Sequence, residues 1–196
     1  MLNDKLVYND RLFYNLYEVI NGKKFMLSSP NLKHAYIKGN ILVAVHSYLK
    51  DKNFGRVFTG SMEIHLPDEN ILRPDLFVVC DRKILKDKPK LYGVPDFVVE
   101  ILSRSTMRKD LTVKKDIYEK NGVREYWIVN PFDKSVTVYH LREGKLELDD
   151  IYTCLTEEEF NQLDEEEKSE IKTDIKLSIF DDFTITVDEI FDDIED

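Results

Sequence analysis

The chain has 196 residues, 42% of them hydrophobic, with 1 Trp, 10 Tyr and 11 Phe, which suits one domain with a proper core and excludes a disordered chain. No apolar run approaches the ~18 residues of a membrane-spanning helix, and the N-terminal MLNDKLVYNDRLFYNLYEV lacks the apolar centre of a signal peptide. Two cysteines, Cys80 and Cys154, with no Cys/His cluster at metal spacing, exclude a zinc finger and a disulfide scaffold; a reducing cytoplasm is the expected location.

The net charge of −10 is unevenly spread. Residues 157–196 hold 17 acids and 3 lysines, a net of −14, so residues 1–156 carry +4. The acidity belongs to the C-terminal part, and the mildly basic body permits a polyanionic substrate.

Taken in chain order, YEVI-NG-KKFML (Tyr17–Leu27) predicts a hairpin around Asn-Gly, which tolerates positive φ. A helix follows over SSPNLKHAYIKGNILVAVHSYLKD, with Ser29 as N-cap, Pro30 at the first position and a core stripe of Ile37, Ile41, Val45 and Leu49. FGRVFTGSMEIHL (Phe54–Leu66) alternates as a strand, and RPDLFVVC (Arg73–Cys80) is a further strand. After the lysine-rich DRKILKDKPKLYG, PDFVVEIL (Pro95–Leu102) has few polar side chains and is expected at the centre of the sheet. SRSTMRKDLTVKKDIYEKNGV is a helix stopping at Asn121-Gly122, and EYWIVNP and KSVTVYHLR are two more strands. Strand, helix, strand implies a βαβ unit, hence an α/β sheet with at least one parallel pair. TEEEFNQLDEEEKSEIKT is a solvated charged helical stretch with Thr156 as N-cap. In the tail, Ile179, Phe180, Phe183, Ile185, Val187, Ile190 and Phe191 are too many to leave in water, so it should dock on the domain. The expected organisation is a single domain over 1–196: a core of 1–155, an acidic helical insertion of 156–172 and a docking segment of 173–196.

Chemistry enters with the acids on buried strands. In Pro95–Leu102, Asp96, Val98 and Glu100 share one face. Asp96, beside Pro95, has a structural explanation as a turn or cap residue. Glu100, between Val and Ile in mid-strand, does not, because burying an unpaired charge is costly. If Asp75 lies on the adjacent strand, its carboxylate converges with Glu100; like charges raise each other's pKa, and a divalent cation relieves them. Asp110, Lys114 and Tyr118, spaced i, i+4, i+8, share a face of the next helix, from which an ammonium can reach the acids. Without that context Asp110–Lys114 is an ordinary surface ion pair. Two acids, a metal and a lysine make a phosphodiester hydrolysis site.

RPDLFVV, GVPDFVVEILSRST and KDLTVKKDIYEKNGVREYWIVNP, together with YEVINGKKFMLSSP and IFDDFTITVDEIF, resemble the Uma-two family of restriction-endonuclease-like proteins in the PD-(D/E)xK nuclease superfamily. The resemblance runs in order over most of the chain. It implies an α/β, restriction-endonuclease-like core: a mixed central β-sheet flanked by helices, with an N-terminal β-hairpin. It makes Asp75 and Glu100 the paired acids, with the main-chain carbonyl of Ile101 as a third metal donor. Leu102 stands where the superfamily places its lysine, and the family pattern supplies that lysine from the next helix as Lys114. Asn130 replaces an Asp common in the family. Mg²⁺, or Mn²⁺, is the implied cofactor and DNA the implied substrate, with no membrane partner; cutting both strands of a duplex needs two active sites, which a homodimer would provide.

Auxiliary residues are left open. Glu18 is either an exposed strand acid or a further carboxylate for the site. His34, on the apolar stripe with Ile37 and Ile41, is either a satisfied core histidine or a contact to the cleft. Ser103 caps the next helix or lines the cleft, Arg104, Arg108 and Lys109 hold phosphates or form a solvated face, and Trp127 is core. Two rival functions stand beside the nuclease. One is a non-catalytic nucleic-acid- or protein-binding module, whose acidic tail occupies a basic cleft or recruits a basic partner. The other is a two-carboxylate glycosidase, which leaves Lys114 unexplained.

Overall fold

The computed structural model describes residues 16–27, 29–60, 62–85 and 90–194. The stretch read for a signal sequence, up to residue 15, lies outside them, as do part of the lysine-rich connection and the last two residues of the tail. Among the described residues the centre is a six-stranded sheet of order β11-β10-β9-β8-β6-β3. Its strands are β3 (Arg56–Thr59), β6 (Leu76–Val79), β8 (Phe97–Ile101), β9 (Glu125–Asn130), β10 (Ser135–Arg142) and β11 (Lys145–Thr153). β8 sits inside the sheet, as expected, antiparallel to β6 and parallel to β9. The crossover between β8 and β9 is helical, over α2 (Met107–Lys109), a wide π-type turn (Asp110–Lys114) and α3 (Lys115–Asn121). Gly122 ends it in the left-handed region (φ 84°), where its lack of a Cβ removes the steric cost.

One face of this sheet is covered by α1 (Leu32–Leu49) and the C-terminal segment. Ile37, Ile41, Val45 and Leu49 pack with Leu76, Val99, Trp127, Phe180, Phe183, Ile185, Val187 and Ile190. The helical stripe is thus where the periodicity put it. Glu125, fully buried, stitches the tail down: one carboxylate oxygen accepts from Trp127 Nε1 (2.6 Å) and the other from the Ser178 amide (2.7 Å). The insertion forms two short helices, α4 (Glu157–Gln162) and α5 (Glu165–Glu170), each opened by a capping box, from Thr156 and Asp164. Burial pushes the Cys80 and Cys154 thiols up, to about 12 and about 11, so both stay protonated beside the core.

Two local expectations are corrected. The N-cap of α1 is Asn31, whose side chain accepts from the His34 amide at 2.8 Å, so Ser29 and Pro30 precede the helix. Phe54–Leu66 is not one strand. β3 joins the central sheet, whereas β4 (Ile64–His65) joins a second, five-stranded sheet, β2-β1-β5-β4-β7. That sheet also contains the predicted hairpin, β1 (Tyr17–Ile20) and β2 (Lys23–Met26), with β5 (Ile71–Leu72) and β7 (Leu91–Tyr92). It covers, with the crossover helix, the other face of the central sheet: Ile20, Ile64, Leu72 and Leu91 pack with Phe77, Val98, Tyr118, Tyr126 and Ile128. Strands of two residues carry too short a pattern to be read from alternation.

Within the second sheet, Glu63, just before β4, draws together the flanks of β5 and β7. Its carboxylate contacts the Arg73 guanidinium, the Lys90 ammonium and His65 Nε2 (3.0 Å). Burial works to raise its pKa, but Lys90, His65 and Arg73 overcome this and hold it at about 2. A depressed carboxyl stabilises the fold above its unfolded value near ~4.3, and that stability is lost as pH falls through about 2. Glu63→Gln should therefore lower Tm at pH 7, and the gap to the unaltered protein should narrow steadily below pH ~4.3 in a thermal-melt series.

Candidate active site

Asp75 stands one residue before β6, and the β6–β8 register pairs Leu76 with Val99, so the next step of the antiparallel ladder sets Asp75 opposite Glu100. The Asp75 carboxylate accepts from the Ile101 amide (2.8 Å) and lies 3.1 Å from His34 Nε2. Its backbone is crowded into place by Gly60, whose amide donates to the Asp75 carbonyl at 3.0 Å. A Cβ at position 60 would sit 3.2 Å from the Pro74 carbonyl oxygen, so a side chain there would have to push that carbonyl aside by a few tenths of an ångström. Arg73, just before, is anchored by its Nε to the Tyr17 carbonyl at 3.1 Å.

Glu100 is buried, and one carboxylate oxygen accepts from Lys114 Nζ at 3.0 Å and from the Tyr118 hydroxyl at 2.7 Å. Lys114 is itself 2% exposed and also contacts Glu18 (2.9 Å) and Asp110 (3.1 Å). The crossover helix achieves this through its π-type turn, which begins at Asp110 and ends at Lys114; such turns recur at functional sites. Asp110–Lys114 is therefore no surface pair: Asp110 is 1% exposed. Glu18, fully buried, is no exposed strand acid either; it also accepts from the Arg73 amide at 3.0 Å. Leu102, where the superfamily lysine would sit, packs into the apolar cluster of the second face.

The electrostatics follow from burial. Removal from water raises the Glu100 pKa well above the usual carboxylate range; Lys114 opposes this, and Asp110, Asp75 and Glu18 add to it. Burial lowers the Lys114 pKa, but Glu100, Glu18 and Asp110 reverse the effect and carry it well above its ordinary value. The lysine is thus a fixed cation at neutral pH. Burial and then Glu100 raise Tyr118 likewise, so its hydroxyl stays a donor.

Asp75, Glu100, Ile101 and Lys114 line a cleft of about 600 Å³ between the N-terminal end of α1 and the loops after β8 and β9. Lys33 and Lys38 from α1, Arg104 from the loop after β8 and Phe132 from the loop after β9 line it as well. His34 is buried with its Nε2 against Asp75 while its Nδ1 has no partner among the described residues, and it lines the cleft; Ser103 both accepts from the Thr106 amide (3.3 Å) and lines it. Lys109 instead lies 4.8 Å from the Phe25 ring, Arg108 is not among the lining residues, and Trp127 is core. Asp96 accepts from the Cys80 amide (2.7 Å) at the entry of β8, a structural role as expected. Gly60, Lys33, Lys38 and Phe132 were missed by sequence reasoning, since none belongs to a local pattern. The lining residues end at Phe132, so among the described residues the acidic segment does not occupy this cleft. No group of three or more His, Cys, Asp or Glu side chains among the described residues is arranged to hold a metal ion by itself, and no helix among them is long and apolar enough to cross a membrane.

Comparison with known proteins agrees with this frame. Residues 14–175 match the family model Uma2, described as "Putative restriction endonuclease". No curated protein matches. Among solved structures, the crystal structure of a "putative nuclease belonging to DUF820" from Anabaena variabilis ATCC 29413 superposes with a TM-score of 0.70. It is 18% identical, with 90% of each chain covered, so the likeness establishes the shared fold. Matched over most of its length, the chain belongs to the Uma2 family and shares the fold of the DUF820 protein.

Proposed function

We propose that this protein is a metal-dependent DNA endonuclease that hydrolyses phosphodiester bonds at the floor of the cleft. The observation that carries the reading is that Asp75, Glu100 and Lys114 all line one open cleft together with Lys33, Lys38 and Arg104. The donor chemistry fits Mg²⁺, with Mn²⁺ as an alternative: two hard carboxylates and the main-chain carbonyl of Ile101 suit an ion that keeps several waters and takes substrate phosphate. The charge balance fits too. Glu18, Glu100 and Asp110 surround one ammonium, an excess of negative charge that a divalent cation would offset. When bound, the metal would polarise the phosphate and lower the pKa of its water.

The protein's own residues have separable tasks. Asp75 and Glu100 would hold the cation. His34 and the Ile101 amide keep the Asp75 carboxylate aimed, and the Tyr118 hydroxyl does the same for Glu100. Lys114, permanently charged, donates a hydrogen bond to the attacking water or to the phosphate oxygens as negative charge builds in the transition state; it does not act as the base. Glu18 and Asp110 fix the ammonium in place. On duplex DNA, a homodimer would bring the second site.

A thermal-shift titration with Mg²⁺, Mn²⁺ and Ca²⁺ tests the metal assignment directly. The unaltered protein should gain Tm with metal, by an amount growing with the logarithm of concentration once the site is saturated, and Asp75→Ala should not. Equal shifts in both proteins would remove Asp75 from the metal site.

A further inference from the structure

Phe132 is a large aromatic side chain that the fold leaves 54% exposed, on the wall of the same cleft that holds Asp75 and Glu100. It sits in the turn between β9 and β10, and that turn is held rigidly. The Asn130 side-chain carbonyl accepts from the Phe132 amide (3.1 Å), its amide group donates to Asp133 (2.8 Å), and Ser135 donates to the other Asp133 oxygen (2.6 Å). Asn130, the departure from the family pattern, can do both jobs. An Asp there would set two carboxylates against each other. The Arg104 guanidinium lies 5.8 Å from the Phe132 ring centre and lines the cleft as well. An exposed aromatic face beside a cation, in a groove also lined by Lys33 and Lys38, is the combination by which proteins hold unpaired nucleic-acid strands.

We propose that Phe132 is a stacking platform for an unpaired base next to the scissile phosphate, with Arg104 bound to the adjoining backbone phosphate, so that the cleft selects single-stranded or frayed DNA over intact duplex. The proposal rests on the nuclease reading for its substrate class. A base within a duplex has both faces covered by its neighbours, and only an unpaired or terminal base offers one to an aromatic ring. The volume agrees: about 600 Å³ lies in the range of sites for small organic ligands, room for a short piece of one strand.

Binding, measured apart from cleavage, tests it. Fluorescein-labelled oligothymidine and a blunt hairpin duplex are titrated with the full chain in EDTA, following anisotropy. Phe132→Ala should weaken oligothymidine binding about fivefold or more and leave the duplex affinity unchanged, while Phe132→Trp retains both. Arg104→Ala should weaken binding and reduce the salt slope by about one. Because Phe132 is exposed, the alanine variant should keep the parent Tm, which confirms that binding is being read on a folded protein. Failure of the unaltered chain to bind oligothymidine, equal affinity of Phe132→Ala, or an equal loss on both probes would overturn the proposal. The two readings separate cleanly. Phe132-dependent strand binding by a chain that cuts no DNA with Mg²⁺ or Mn²⁺ would sink the nuclease reading alone; metal-dependent cutting with Phe132-independent binding would sink the stacking platform alone.

Discussion

Glu100→Gln is expected to abolish metal-dependent DNA cleavage, by at least about a hundredfold, while leaving the protein as stable as its parent. The two halves of this outcome have different causes. Glu100 is buried, and burial with Asp110, Asp75 and Glu18 nearby raises its pKa despite Lys114, so its negative charge is costly in this position. A neutral amide of the same shape therefore relieves repulsion at little packing cost, and its oxygen can still accept from Lys114 and Tyr118. The amide cannot supply the charge that a divalent cation requires from its donor set. Cleavage of plasmid DNA with Mg²⁺ or Mn²⁺, followed with Tm on the same preparation, checks both halves. A stable Glu100→Gln protein that cuts at the parental rate would remove Glu100 from the chemistry.

Lys114→Met should have the largest effect on stability of any single change at the site. The methionine fills much of the lysine's volume, but it leaves Glu18, Glu100 and Asp110 facing one another away from water with no cation between them. Removing one partner of a buried ion pair costs about 3–5 kcal/mol. For a chain of this size that is a fall in Tm of about 6–20 °C, measurable by circular dichroism. Stripped of the ammonium, Glu100 and Asp110, both raised by burial, relieve the repulsion by taking up protons, so the loss should be smaller at pH 5 than at pH 8. Adding Glu100→Gln to Lys114→Met should recover part of the loss, because the two residues are in contact and their effects are not additive. A double variant no more stable than Lys114→Met would contradict this account of the cluster. Cleavage should be lost in Lys114→Met as well, through the missing donor as much as the altered fold.

Much of this was legible in the chain. Helical spacing marked the α1 stripe from Ile37 to Leu49 and the crossover ending at Asn121-Gly122, and a short apolar run marked β8 as an interior strand. Those signals are local: a period of 3.6 or 2 and a residue that tolerates left-handed backbone. Glu100 stood out for the same reason, as a charge interrupting a run otherwise suited to burial. Local patterns also misled. Ser29-Pro30 looked like a helix start, but the Asn31 side chain reaches the His34 amide and begins the helix there. Alternation across Phe54–Leu66 suggested one strand, yet the chain leaves the central sheet at Gly60 and enters the second.

The sequence by itself determined the class of this protein: an α/β domain with a parallel βαβ unit, a buried acid in its central strand, a lysine one helix later, and a family resemblance resting on those same residues. Only the tertiary structure decided the environment of each. Glu18 and Asp110 read equally well as surface acids until β1 and the crossover helix were folded against β8, where both became buried partners of Lys114. Phe132, Lys33 and Lys38 belong to no motif and acquire meaning from the wall of a cleft assembled from distant segments. The physical reason is one of range. Backbone preference and hydrophobic period are set by residues within a turn or two of each other, whereas solvation, and with it the charge state and chemistry of a side chain, is set by whatever the fold brings within a few ångströms.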